Sequence, residues 1–87
     1  MKQQVFIINA LNGLSSKAAA NLVAESNKYK CLLKLSYQHE EADLKSIMSV
    51  MALVIRNQES FEIIADGVDE DIALENLQEL MKRIQLI

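Results

Sequence analysis

The chain has 87 residues, of which 51% are hydrophobic and 24% charged, and its formal net charge is -3. These values predict a single small globular domain over residues 1–87 and exclude a disordered chain, because enough apolar side chains are present to form a core. The acidic balance, with a pI near 5.0, argues against direct binding of nucleic acid, which needs a basic surface.

The sequence also indicates where the protein resides. No apolar stretch approaches the ~18 residues of a membrane span, and the first residues lack the apolar core of a signal peptide. The single cysteine, Cys31, cannot form an internal disulfide, which fits a reducing compartment. We therefore expect a cytoplasmic protein without membrane attachment.

The first half of the chain predicts a strand, a helix and a hairpin. Residues 5–8 are an apolar run that contains β-branched residues, as in a strand. Ser15 or Ser16 can begin a helix over residues 17–29, because a serine hydroxyl accepts a free N–H group of the first turn. Residues 31–37 alternate as a half-buried strand does, and a turn at 38–41 leads to a brief return strand at 42–44. The side chains expected to point inward are Ala19, Leu22, Val23 and Ser26 in the helix, and Cys31, Leu33, Leu35 and Tyr37 in the strand.

The second half predicts a short helix, a strand and a longer helix. Residues 47–55 favour a helix over a strand, with Met48, Leu53 and Ile55 lying outside its apolar stripe. Residues 61–65 predict a strand, and residues 69–84 a helix that begins with three acidic residues, as the helix dipole favours. The apolar stripes are Ile47, Val50, Met51 and Val54 in the first helix, and Ala73, Leu77, Leu80, Met81 and Ile84 in the second.

This order of elements predicts an antiparallel sheet with helices on one face, an α+β two-layer sandwich. Such an open sheet has two unpaired edges, and its amino-terminal strand can exchange between chains. We therefore expect either a monomer or a strand-exchanged dimer.

Few side chains point to catalysis or to a cofactor. The only histidine, His39, stands in a polar turn, and Cys31 is expected to be a buried packing thiol. One histidine and one distant cysteine do not make a metal site, since zinc takes ~four ligands. The two glycines are too few for a phosphate-binding loop. The pattern thus predicts a protein that is not an enzyme and that binds no metal or cofactor.

Two serines at predicted helix starts are the exceptions. Ser15, Ser16 and Lys17 follow a glycine, and such a helix start can hold an anion, although an ordinary serine N-cap explains the same pattern. Ser46 precedes a helix with more apolar side chains than one face can bury. An excess side chain such as Met48 would then lie on the surface as part of a docking patch, unless the whole run belongs to the core.

Together these segments resemble the HPr family, the histidine-containing phosphocarriers of the bacterial phosphoenolpyruvate-dependent sugar phosphotransferase system. The resemblance covers the whole chain, and its most specific stretch is residues 44–48, followed by Val50, Met51 and Leu53. Residues 26–29, 67–70 and 73–74 are also similar to the family. The resemblance implies an open-faced β-sandwich of four antiparallel strands with three helices on one face.

The resemblance also shows a departure at the family's active site. Ser15 stands at the position of the phosphorylated histidine, Lys17 at that of an arginine and Ala18 at that of a proline. A serine phosphate is an unreactive ester, a serine hydroxyl is a weak nucleophile without a base, and lysine lacks the planar fork of arginine. His39 cannot replace the missing histidine because it lies in a turn. The resemblance therefore implies that this chain is not a phosphocarrier.

A second family feature is retained. In many Gram-positive bacteria, an HPr kinase/phosphorylase uses ATP to phosphorylate the serine that matches Ser46, and the product binds a catabolite-control transcription regulator. The residues expected to bind partners are Lys45, Ile47, Met48, Ser49 and Met51, of which Ser49 departs from the family's usual glycine. We predict a regulatory protein that Ser46 phosphorylation switches.

Other functions remain open from the sequence. The main alternative is an unphosphorylated competitor that docks on phosphotransferase-system enzymes or on a regulator through Ile47, Met48 and Met51. A small enzyme would need a convergent acid–base pair, and a small-molecule-binding regulatory domain would show saturable binding of a metabolite.

Overall fold

The structure, a computed structural model that describes residues 1–87, has four strands and three helices. The strands are β1 (Lys2–Ile7), β2 (Leu32–Tyr37), β3 (Glu40–Asp43) and β4 (Ser60–Asp66), and the helices are α1 (Ser16–Ser26), α2 (Ile47–Met51) and α3 (Glu70–Arg83). All neighbouring strands are antiparallel, in the order β1-β4-β2-β3. The predicted fold class, an antiparallel sheet covered by three helices, is confirmed.

The core lies between the sheet and the helices. Strand β2 contributes Leu33, Leu35 and Tyr37, and Cys31 just before it is also buried, which confirms the predicted alternation. Burial raises the pKa of the Cys31 thiol to about 11, as expected of a packing cysteine. No helix is long or apolar enough to span a membrane.

The amino-terminal elements differ from their predicted bounds. Strand β1 begins at Lys2 rather than at residue 5, and helix α1 ends at Ser26 rather than at residue 29. The helix ends there because the Asn27 side chain donates hydrogen bonds both to the Val23 carbonyl and, outside the helix, to the Lys45 carbonyl. Its buried face includes Ala18, whereas Val23 is only half-buried.

The helix predicted at residues 47–55 is shorter, and its predicted stripe is wrong. The helix ends at Met51, and in the non-helical segment that follows, Leu53 and Ile55 are buried while Val54 is exposed. The Ile55 carbonyl accepts a hydrogen bond from the Leu14 N–H at 2.9 Å, which holds this segment against the loop before α1. Gly13 makes the approach possible, because its φ is +63° and a Cβ there would lie 2.3 Å from the Ile55 oxygen.

The hairpin has a shorter turn than predicted. Its turn is formed by Gln38 and His39, whose φ angles of 48° and 67° suit a tight connection between twisted strands. Strand β3 therefore begins at Glu40 instead of residue 42. The sequence did not indicate this turn because neither residue is a glycine or an asparagine.

The last helix begins and ends close to the predicted bounds. Glu70 and Asp71 lie in its first turn and Lys82 and Arg83 in its last, which confirms the expected match to the helix dipole. Asp69 makes no side-chain cap hydrogen bond within the helix. Its carboxylate instead accepts the Lys30 and Cys31 backbone N–H groups at 2.8 and 2.9 Å, joining the start of α3 to the start of β2.

This contact predicts a pH dependence of stability. The backbone hydrogen bond from Lys30, followed by that from Cys31, lowers the pKa of Asp69 below its ordinary value of 3.8. The carboxylate therefore stabilises the folded state above that value, and the contribution is lost as the pH falls through the lower, folded-state pKa. We expect Asp69→Asn to reduce the free energy of unfolding near pH ~7. Near pH ~2 the free energies of unfolding of the variant and the unmodified protein should differ less. Urea titrations at several pH values would measure this.

Glu75→Gln is the matched control, since Glu75 is an exposed carboxylate of the same helix. If Asp69→Asn lowered the free energy of unfolding by the same amount at both pH values, the effect could not be assigned to the ionised carboxylate.

Candidate functional site

Ser15 lies at the start of α1 and is its N-cap, so the structure decides between the two serines considered. Its hydroxyl oxygen accepts the Ala18 N–H at 3.2 Å. The backbone N–H groups of Ser16 and Lys17 make no hydrogen bond within the protein and face outward. The start of α1 thus offers donors to an anion, beside an exposed lysine.

No hydrogen bond joins the Ser15 hydroxyl to a group that could act as its base. A shallow depression beside the serine is lined by Ser15, Lys17, Ala18, Asn21 and Ile84. His39 is in the exposed β2–β3 turn and lines no part of it. The Ser15 hydroxyl oxygen acts only as an acceptor, so nothing in the structure withdraws its proton.

Ser46 is the corresponding N-cap of α2. Its hydroxyl oxygen accepts the Ser49 N–H at 3.3 Å, and its carbonyl accepts the Val50 N–H at 3.1 Å. The backbone N–H groups of Ile47 and Met48 have no partner within the protein. Ser46 itself is half-buried, and these hydrogen bonds fix its backbone and hydroxyl at the start of α2.

The segment before Ser46 is held in place by α1 and by β3. The Lys45 ammonium donates to the Tyr29 carbonyl at 2.7 Å, and the Lys45 carbonyl accepts from Asn27 at 3.1 Å. Asp43 accepts the Lys45 N–H through its side chain and the Ser46 N–H through its carbonyl. Lys45, predicted as a partner-binding residue, therefore has its ammonium hydrogen-bonded to a backbone carbonyl in the unmodified chain.

Three apolar side chains of α2 lie on the surface beside Ser46. Met48 is 82% exposed, Met51 51% and Ile47 37%. We call Ile47, Met48 and Met51 the docking patch. Their exposure favours the surface interpretation of this run over a purely internal one.

The sequence prediction did not include two further exposed apolar side chains. Leu11 and Val54 are 94% and 68% exposed, and both line a groove between the loop before α1 and the segment after α2. Val54 was assigned to the buried stripe of a longer helix. The sequence carries no signal that could have placed it outside, because Leu53, Val54 and Ile55 are all apolar.

Carboxylates with shifted pKa values do not form an acid–base pair. A hydrogen bond from Tyr29 is the main cause of the lowered pKa of Glu25, and one from Tyr37 has the same effect on Glu59. Backbone N–H groups lower the pKa of Asp69. Each shift favours the ionised form and follows from a contact that joins elements of the fold.

Comparison with known proteins identifies the family. The model of the PTS HPr component phosphorylation site family matches residues 2–83. The phosphocarrier protein HPr of Lysinibacillus sphaericus is 31% identical over 86 residues, which are 99% of this chain and 98% of that protein.

Solved structures agree with this match. The histidine-containing phosphocarrier protein from Mycoplasma superposes with a TM-score of 0.96 at 31% identity, covering 99% of this chain and 98% of that one. Crh of Bacillus subtilis, a catabolite repression protein described as a swapped dimer, gives a TM-score of 0.74 at 31% identity, with 95% of both chains covered. The extent of these matches over sequence and fold shows that the chain belongs to the HPr family of the phosphotransferase system.

Proposed function

We propose that this chain is a regulatory HPr-like protein that does not carry phosphoryl groups, and that HPr kinase/phosphorylase phosphorylates it on Ser46 for binding to a catabolite-control transcription regulator. The observation that carries the proposal is the position of Ser46, whose hydroxyl borders the exposed docking patch. Ser15, where the resemblance places the family's histidine, donates no hydrogen bond to a base and only accepts one from Ala18.

The surroundings of Ser46 accommodate a phosphate without a change of fold. Phosphorylation adds about −1.5 to −2 charges at neutral pH. The unpartnered N–H groups of Ile47 and Met48 are donors for the added oxygens, while the bonds that fix Lys45 do not involve the Ser46 hydroxyl. The modification therefore changes what the surface presents.

Recognition of the product would combine charge and apolar contact. A dianion beside Met48 and Met51, both more than half exposed, suits a partner groove that offers arginine and apolar side chains. The likeness to Crh, a protein named for catabolite repression, supports a regulatory role of this kind.

The second candidate is a competitor that needs no phosphorylation. It is favoured by the docking patch being exposed already in the unmodified chain. Such a protein would occupy phosphotransferase-system enzymes or a regulator through Ile47, Met48 and Met51, and Ser46→Ala would keep full binding.

The test is an intact-mass measurement after incubation with ATP and an HPr kinase/phosphorylase. We expect the mass of one phosphoryl group to be added to this protein and to Ser49→Ala, and nothing to be added to Ser46→Ala. Ser49→Ala is the matched control, because Ser49 lies on the same short helix and donates its backbone N–H to Ser46. If an authentic HPr is modified in the same tube and this protein is not, the phosphorylation proposal fails and the competitor becomes the leading function.

A further inference from the structure

The free edge of β1 is defined by its hydrogen bonds to β4. Ile8 donates to Glu59 and accepts from Gln58, so its backbone groups point toward β4. Because backbone groups alternate in direction along an antiparallel strand, Lys2, Gln4 and Phe6 also point toward β4. Gln3, Val5 and Ile7 therefore direct their N–H and C=O groups away from the sheet.

The free edge ends where the carboxyl-terminal segment covers it. Asn9 is the next residue to point outward, and its N–H donates to the Leu86 carbonyl at 2.7 Å. The unpaired edge thus consists of three alternate residues, Gln3, Val5 and Ile7. None of them is charged, and the Val5 and Ile7 side chains are 60% and 57% exposed on the open face of the sheet.

The opposite edge of the sheet is different. Glu40 and Ala42 are hydrogen-bonded to β2, so the residues of β3 that point outward are Glu41 and Asp43. Two exposed carboxylates at these positions repel a second strand, which is a usual protection of sheet edges. The chain protects the β3 edge with charge and leaves the β1 edge unprotected.

We propose that the β1 edge binds a second copy of this chain, strand to strand and antiparallel, without exchange of the strand. A two-fold axis through Val5 sets Val5 opposite the partner's Val5, and sets Gln3 and Ile7 opposite the partner's Ile7 and Gln3. This register pairs all three outward residues of each copy. A shift of two residues centres the axis on Gln4 and leaves Ile7 opposite Met1, beyond the end of β1.

The remaining surfaces are compatible with this pairing. The Val5 and Ile7 side chains of both copies form one apolar strip on the joined open faces, which removes surface that is exposed in the single chain. The acidic β3 edges lie at the two far ends of the joined eight-stranded sheet. At ~4.8 Å per strand they are ~34 Å apart, which is well beyond the Debye length of ~10 Å.

Cysteine cross-linking tests the register. Under mild oxidation we expect Val5→Cys to form a covalent dimer, since hydrogen-bonded opposite residues have Cα atoms ~5.5 Å apart. Gln4→Cys is the control, because in this register Gln4 faces the partner's Phe6. The native Cys31 is buried. Cross-linking of Gln4→Cys in place of Val5→Cys would overturn the register.

Sedimentation equilibrium over a range of concentrations tests the association itself. We expect reversible dimerisation of this protein, weakened at least tenfold in Val5→Glu, where two carboxylates would face each other. Leu32→Glu is the matched control, because Leu32 is a 64% exposed residue of the same open face but lies on β2. A monomer at every concentration, or equal weakening by Leu32→Glu, would overturn the proposal.

An internal disulfide separates this pairing from strand exchange. Gln3 and Ile64 are opposite each other on β1 and β4, and the double variant Gln3→Cys/Ile64→Cys can be oxidised in dilute solution to fix β1 in its own chain. Edge pairing predicts that the oxidised variant still dimerises. Loss of dimerisation on oxidation would show that the strands exchange and would overturn the proposal.

Discussion

Incubation with phosphoenolpyruvate and the phosphotransferase-system enzyme that labels an authentic HPr is expected to leave Ser15 of this protein unmodified. The Ser15 hydroxyl accepts the Ala18 N–H and is not hydrogen-bonded to a base that could take its proton. General-base assistance contributes ~100-fold or more to such a step, so we expect labelling at least ~100-fold slower than that of the authentic protein. Intact-mass spectra over a time course would measure it.

The matched variant is Ser15→His. An imidazole there would stand beside the free N–H groups of Ser16 and Lys17, and we expect it to gain an acid-labile phosphate that the unmodified protein does not carry. Labelling of the unmodified chain at Ser15, at a rate near that of an authentic HPr, would refute the assignment of this protein as a non-carrier.

The largest expected loss of stability comes from Leu77→Ala. Leu77 lies in α3 and its side chain is completely buried in the single core of the domain. Removing such a side chain costs about 2–5 kcal/mol, the sum of lost transfer free energy and the cavity left behind. The total free energy of unfolding of a small domain is about 5–15 kcal/mol. We therefore expect a large decrease in the urea concentration at the midpoint of unfolding.

Glu79→Ala is the control for helix propensity, since Glu79 is an exposed residue of the same helix. We expect its free energy of unfolding to change by less than about 0.5 kcal/mol. Equal losses in the two variants would contradict the central position of α3 in the core.

In the predicted elements that were confirmed, the apolar residues recur with a single clear period. In β2 the inward residues alternate with polar ones, so only one face can be buried. In α3 the apolar residues recur every three or four positions, and charges at both ends match the dipole. The likeness to the HPr family, stated from residues 44–48 and the order of the elements, is confirmed by the family match.

The predicted helix was too long at residues 47–55, where the apolar residues recur with no single period. Residues 47–55 are almost all apolar, so a helix and an extended chain both bury part of them. The choice depends on the hydrogen bond between Leu14 and Ile55, two residues far apart in the sequence. The exposure of Val54 follows from that bond.

The sequence by itself determined the fold class, the family, a helix start at Ser15 or Ser16 and another at Ser46, and the absence of a histidine at the first of them. Each of these depends on residue identity and on periods within one element. Only the tertiary structure decided that Asp69 holds the residues just before β2, that Lys45 binds the segment after α1, and that Gln3, Val5 and Ile7 form a free edge. These contacts join segments distant in the chain, and the order of strands in the sheet determines which backbone groups remain unpaired.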